Sequence, residues 1–233
     1  MVIKMSKLTI RWLGQSGYIL SGGGTVICID PYLSDIVNEA AGRPRTREIP
    51  VRPGDLRADV LICTHNHLDH VDKGAIPFMK KDKMMFCAPS DCEETLKQLG
   101  VTHYTAFDEG AKVKAGGFEI SAVFADHTVP AVGVLVKYEG KTLYFSGDTY
   151  YNKKLESIKC DFMFICINGK LGNMNADDAV KLTNIIKPKT AVPNHYDMFE
   201  SNSENPEVYA KRVKNGFIME FNREYEVSDT CLI

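Results

Sequence analysis

The sequence is short of every feature that would remove it from the ordinary soluble class. It has no run of 18 apolar residues, so no segment is long enough to span a membrane as a helix. It has no excess of either charge. Its 28 Lys and Arg stand against 30 Asp and Glu, a formal charge of −2, and the basic footprint of a nucleic-acid binder is missing. No nucleic acid is therefore expected as a partner. There is no Cys-x-x-Cys pair. The seven cysteines are an odd, scattered set, several of them inside apolar runs such as VICID, VLICTH and FMFICI. That is the usage of buried free thiols in a reducing compartment, not of a disulfide framework. The N-terminal stretch MVIKMSKLTIRWLG has neither a long apolar stretch nor a small-residue cleavage site. No secretory leader is read there, and the cytoplasm is the expected location. Repeats and low-complexity segments are absent as well.

What is present is a globular composition, 44% hydrophobic and 25% charged over 233 residues. Surface scaling gives roughly 10,500 Å² folded against roughly 37,700 Å² unfolded, so about 72% is buried and no disulfide or metal staple is needed for a core. One domain spanning 1–233 is expected.

Short apolar runs rich in Val, Ile, Phe and Tyr predict strands at 7–13, 18–20, 26–29, 60–63, 84–87, 118–124, 132–138, 142–145, 162–167, 190–192 and 217–221. Ser21 to Gly24 and the pair Glu139 and Gly140 read as hairpin turns. Ser90 and Glu93 form a capping box ahead of a helix closed by Gly100. Asn175 caps a helix that buries Ala179, Leu182 and Ile186 and stops at Pro188. Asn205 and Pro206 open a third helix, ended by Gly216. A fourth is expected over 72–80, made irregular by Pro77. Residues 34–55, with Arg43, Arg45, Arg47 and Arg52 among Pro and Gly, read as a long loop. The elements do not alternate strictly, so an α/β protein with two packed sheets and helices outside fits better than a doubly wound sheet.

The chemistry concentrates in Thr64-His-Asn-His-Leu-Asp-His70, directly after the strand VLIC. His65, His67, Asp69 and His70 place three imidazoles and a carboxylate within six positions in a chain that holds only six histidines. Imidazole and carboxylate suit Zn²⁺, Mn²⁺ or Fe²⁺. Three further candidates each follow an apolar strand: His127 after ISAVFA, Asp148 after TLYF and His195 after TAVP. Strand ends on one sheet edge share a crevice. His103, alone in VTHYT, is read as structural.

This order of motifs resembles the metallo-β-lactamase superfamily. Within it, WLGQSGYIL, IDPYLS, DHTVPAVGVLV, LYFSGDTYY, INGKLGNMNADDA and PNHYDMFESNSENPE resemble the ascorbate-6-phosphate lactonase-like hydrolases, over nearly the whole chain. The resemblance implies a four-layer αββα sandwich with a dimetal crevice at one edge. It implies one metal site at His65, His67 and His127 and another at Asp69, His70 and His195, with Asp148 bridging and Asp30 supporting the ligand loop from behind. Two divalent ions per chain, Mn or Zn with Fe admissible, would share a hydroxide that attacks the substrate. Asp69 and Asp148 are the catalytic candidates. Asn168, Lys170, Asn173 and Tyr196 are candidate substrate contacts.

The expected activity is that of a lactonase acting on a small anionic substrate, a phosphorylated sugar acid such as L-ascorbate 6-phosphate. The chain is shorter than that lactonase, so the reaction class carries over further than the substrate. A phosphodiesterase of the same superfamily, acting on cyclic nucleotide, RNA or phospholipid head groups, is the alternative. A di-iron redox protein is disfavoured because Asn66 stands where such relatives carry Glu. A purely metal-holding protein is disfavoured by the complete ligand set. A homo-oligomer is compatible with the resemblance.

Overall fold

In β3 (Thr25–Ile29), Ile27 and Ile29 join one buried cluster while Cys28, between them, joins another. The same split separates Val60 and Ile62 from Leu61 in β4 (Val60–Ile62), and Cys87 from Phe86 in β5 (Met85–Ala88). A period of two with both faces apolar means a sheet covered on both sides. The computed structural model describes residues 7–233 and shows what covers it. Residues 1–6, part of the stretch read above for a leader, lie outside the described residues.

The first sheet also holds β1 (Thr9–Gly14), β2 (Gly17–Gly22), β6 (Tyr104–Ala106) and β13 (Glu224–Glu226), in the order β13-β1-β2-β3-β4-β5-β6. The second holds β7 (Lys112–Ala115), β8 (Phe118–Phe124), β9 (Val132–Tyr138), β10 (Lys141–Phe145), β11 (Phe162–Cys166) and β12 (Thr190–Asn194), in the order β12-β11-β10-β9-β8-β7. Both are mixed. Tyr18 of the first sheet meets Phe145 and Phe164 of the second at centroid distances of 5.0 and 5.1 Å, so the main core lies between the sheets. On the outer face of the first sheet, Ile76, Met79 and Leu96, the last from α2 (Glu93–Gln98), cover Leu61 and Phe86. On the outer face of the second, α3 (Ala176–Ile186) and α4 (Glu207–Ala210) pack together, and the hydroxyls of Thr183 and Tyr209 lie 2.7 Å apart. This is the expected αββα sandwich. No helix among the described residues is long and apolar enough to cross a membrane.

Both hairpin turns form, the second with Glu139 and Gly140 at φ of 44° and 78°. Asn175 accepts from the Asp178 N–H as its helix cap. Several expectations are corrected. The apolar run 217–221 is not a strand. Its rings act as separate plugs, Phe217 on Tyr225 and Phe221 on Trp12, and the partner of β1 is the charged segment Glu224–Glu226. Ser90 does not cap α2. Its hydroxyl is bonded to Asp108, and a 3₁₀ turn (Ser90–Cys92) leads into the helix. The segment 72–80 has only a 3₁₀ turn, Ile76–Phe78, because Pro77 has no N–H to continue a helix. α4 stops at Ala210, well before Gly216. The loop 34–55 contains α1 (Ile36–Ala41), closed by Gly42 at φ 63°.

Candidate metal centre

Five strands deliver the centre at their carboxyl ends. Asp30 follows β3 directly, and the segment 65–70 begins just beyond β4. His127 lies past β8, Asp148 past β10, and His195 directly follows β12. The antiparallel run β8-β9-β10 and the parallel run β10-β11-β12 point β8, β10 and β12 the same way. β3 and β4 are parallel in the facing sheet, and the Val132 N–H donates to the Thr64 carbonyl at 3.0 Å, tying the two sheets at this edge. Gly147, at φ 58°, is needed here. A Cβ would stand 3.0 Å from the Val132 carbonyl and 3.2 Å from the Thr64 side chain.

Seven side chains converge. Ligand atoms of His65, His67 and His127, of His65, His70 and Asp148, and of Asp69, His70 and His195 form three groups, each within 4.8 Å. His65 Nε2 is 2.9 Å and His127 Nε2 3.3 Å from His67 Nδ1. Asp148 reaches His70 Nε2 at 3.4 Å through one oxygen and His195 Nε2 at 3.0 Å through the other. Asp69 Oδ2 is 3.7 Å from both His70 Nε2 and His195 Nε2.

Electrostatics divide the histidines. Burial, reinforced by neighbouring imidazoles, pushes the pKa of His65 and His67 down, His65 far down. Burial also lowers His127, against the pull of Asp148. These three are held neutral with lone pairs available. Burial alone would lower His70 too, but Asp30, Asp148 and Asp69 overcome it and raise its pKa to about 10. His195 is raised by Asp148 and Asp69 against burial. Burial alone would raise Asp148, yet His195 and His70 hold its carboxyl well below the usual range. The carboxylates thus draw positive charge to this half of the centre. His70 Nε2 and Asp148 Oδ1 are buried and face each other at 3.4 Å, and neither makes a hydrogen bond. A divalent cation would satisfy both atoms, and the donor set of imidazole and carboxylate suits one. The residues therefore fit a metal.

A second ring of contacts aims these groups. Asp30, at φ 42° and fully buried, accepts from the Thr64 N–H at 2.7 Å, the Thr64 hydroxyl at 2.7 Å and His70 Nδ1 at 2.8 Å. That leaves His70 Nε2 facing inward. The Gly172 carbonyl lies 3.1 Å from His127 Nδ1. Gly172 is tight against the ring, since a Cβ would sit 2.5 Å from that nitrogen. Asn173 donates to Asp148 Oδ2 at 2.9 Å. Gln15, a fully buried residue at φ 53° in the turn between β1 and β2, donates to Asp69 Oδ2 at 2.8 Å. Asp30→Asn is expected to keep the fold and weaken metal binding by about 10- to 100-fold, the usual cost of losing an orienting partner. Titration against a chelating dye measures this, and unchanged affinity would refute the orienting role.

The other sequence candidates are placed differently. Asn168 is buried and donates to Asn202 Oδ1 at 2.8 Å, while Lys170 Nζ donates to the Ser201 carbonyl at 3.0 Å. Tyr196 is buried against Trp12 at 4.9 Å. Asn66 bonds outward to Asp91. Arg45 spends its guanidinium on the carbonyls of Ser34, Arg47 and Glu48, and Arg47 pairs with Asp197. Gln15 was not among the sequence candidates. Its stretch WLGQSGYIL carried the family resemblance but gave Gln15 no role, because polar residues are ordinary in a turn between glycines.

A family model described as a beta-lactamase superfamily domain matches residues 9–195, most of the chain. The chain belongs to the metallo-β-lactamase superfamily. A relative from Archaeoglobus fulgidus, named a UPF0173 metal-dependent hydrolase, is 29% identical over 229 residues, covering 89% of this chain and 91% of its own. Among solved structures, Igni18, described as a metallo hydrolase from Ignicoccus hospitalis, has a TM-score of 0.79 at 21% identity, covering 95% of this chain and 99% of its own. YhfI from Bacillus subtilis, described as a metallo-beta-lactamase fold protein, has a TM-score of 0.73 at 18% identity, covering 95% and 100%. Both structures share the fold.

Proposed function

We propose that this superfamily member is a metal-dependent hydrolase and, more finely, a lactonase that opens a small anionic ester ring such as that of L-ascorbate 6-phosphate. The observation that carries the reading is the convergence of seven His and Asp side chains in which buried His70 Nε2 and Asp148 Oδ1 face each other at 3.4 Å without closing a hydrogen bond. His65, His67 and His127 would hold one divalent ion, and Asp69, His70 and His195 a second, with Asp148 between them. Such ions supply an activated water and a Lewis acid for the electrophile.

The chain's own residues do the rest. Gln15 fixes one oxygen of Asp69, which leaves the other to take the proton of the attacking water. Asn173 and His195 hold Asp148, and Asp30 holds His70, so the charged groups are oriented before substrate arrives. A phosphodiester is the second reading, since the same groups serve attack at phosphorus.

Metal-free protein reloaded with Mn²⁺ or Zn²⁺ is expected to open L-ascorbate 6-phosphate and to lose that activity on chelation. Turnover of bis(p-nitrophenyl) phosphate without lactone opening would move the assignment to the phosphodiesterase. Turnover of neither, with metal bound, would overturn both the sugar-lactone and the phosphodiester readings.

A further inference from the structure

Beside the centre lies a cavity of ≈ 430 Å³ whose floor includes His67 and Asp69 and whose walls are mostly apolar: Val37, Leu68, Leu171 and the ring of Tyr150. Arg43 is the one Lys or Arg lining it, and among the described residues Arg43 makes no ion pair. Leu171 stands out on two independent counts. It is 55% exposed, and its backbone is left-handed at φ 54°, which a leucine adopts only at a cost. An exposed, strained leucine is unfavourable in the free protein twice over.

The surrounding loop nevertheless fixes it there. Asn168 and Asn175 bridge the base of the loop, the Asn173 N–H donates to the Lys170 carbonyl, and the two residues after Leu171 touch His127 and Asp148. The tip is therefore rigidly indexed to the ligand atoms. Tyr150, 46% exposed, faces the same space, and its N–H is tied to the Asp126 carbonyl at 2.7 Å.

We infer that the substrate is an ester or lactone carrying an alkyl or aryl group, which packs on Leu171, Leu68 and Tyr150 while a single anionic group meets Arg43. The inference rests on the hydrolase reading and puts an apolar ester in place of the sugar lactone as its substrate. The cavity wall offers a polyol few hydrogen-bond partners, only Thr128 and the Tyr150 hydroxyl among its side chains outside the metal-site residues and Arg43. A hydrocarbon gains burial at every carbon.

The test is a calorimetric titration of butanoate, hexanoate and octanoate into the metal-loaded protein and into Leu171→Asn. Asparagine tolerates the left-handed backbone, so this variant is expected to melt at the same temperature or higher. In the parent protein, affinity is expected to tighten roughly fourfold per added methylene. In the variant that gradient is expected to fall by half or more.

A flat series, or the same gradient in both proteins, would overturn the inference. So would a change of oligomeric state in Leu171→Asn on size-exclusion chromatography, which would make the patch a contact between copies. Parallel assays on alkyl γ-lactones and on L-ascorbate 6-phosphate separate the two claims. Preference for the sugar lactone sinks the apolar substrate and keeps the hydrolase. A steep binding gradient with no turnover of any ester keeps the apolar pocket and sinks the hydrolase.

Discussion

Asp148→Ala is expected to lower kcat/KM by about a thousandfold or more and to empty the centre of metal. Asp148 reaches His70 at 3.4 Å and His195 at 3.0 Å, closer than Asp69 at 3.7 Å from each, and it shares a ligand group with His65. It joins the two halves of the cluster. Without it, two buried imidazoles lose the anion that compensates them, and any cation held there would lose a compensating negative charge. Metal ions contribute several kcal/mol of transition-state stabilisation, and each 1.36 kcal/mol is a factor of ten in rate. Asp148→Asn retains the shape and one oxygen, so it should bind metal more weakly than the parent but better than the alanine variant. Metal content by atomic emission, read with kcat/KM, checks the order. Turnover within tenfold of the parent in Asp148→Ala would refute the bridging role.

Phe164→Ala is expected to cost about 3–5 kcal/mol of stability. Phe164 is fully buried in β11, stacked on Phe145 at 4.5 Å and 7°, with Tyr18 of the opposite sheet at 5.1 Å. A void there opens between two sheets that cannot close on each other without moving their edges. At roughly 2–4 °C per kcal/mol for a chain of this size, the melting temperature should fall by about 6–20 °C. Calorimetry on metal-free protein measures this cleanly, since bound metal would add its own stabilisation. A drop of under about 3 °C would show that the interface relaxes around the gap.

The sequence made the interior strands readable and hid the margins. β3, β4, β10 and β11 are apolar because both faces are covered, and each has an apolar run at its position. The three strands that were not anticipated, β6, β7 and β13, all sit at sheet edges. β7 alternates exposed and half-buried residues, and β13 is Glu-Tyr-Glu. β6 and β13 are only three residues long and β7 and β13 carry charge, as exposed edges that must not pair with other chains tend to, so the apolar run used to find strands is missing there. In the centre, the metal-type residues were legible because chemistry dictates their kind and the strand ends dictate their place. Gln15 was not legible. Its partners Asp69 and His195 lie 54 and 180 positions away, so the resemblance of WLGQSGYIL marked the segment without marking what Gln15 touches. Asn173 was read as a substrate contact from its turn, and its amide is on Asp148.

The seven converging side chains hang from both sheets, from residue 65 to residue 195, and the edge is latched by backbone bonds from Val132 to Thr64 and from His195 to Gln15. A cation held there would work as a clasp across the sandwich. Neither sheet can peel away without surrendering ligands, so the ion's binding energy is also resistance to unfolding and to proteases that act on opened chains. A chain clipped or misassembled in either half would hold an incomplete set and let the ion go. Possession of the ion would then distinguish a finished molecule from a damaged one.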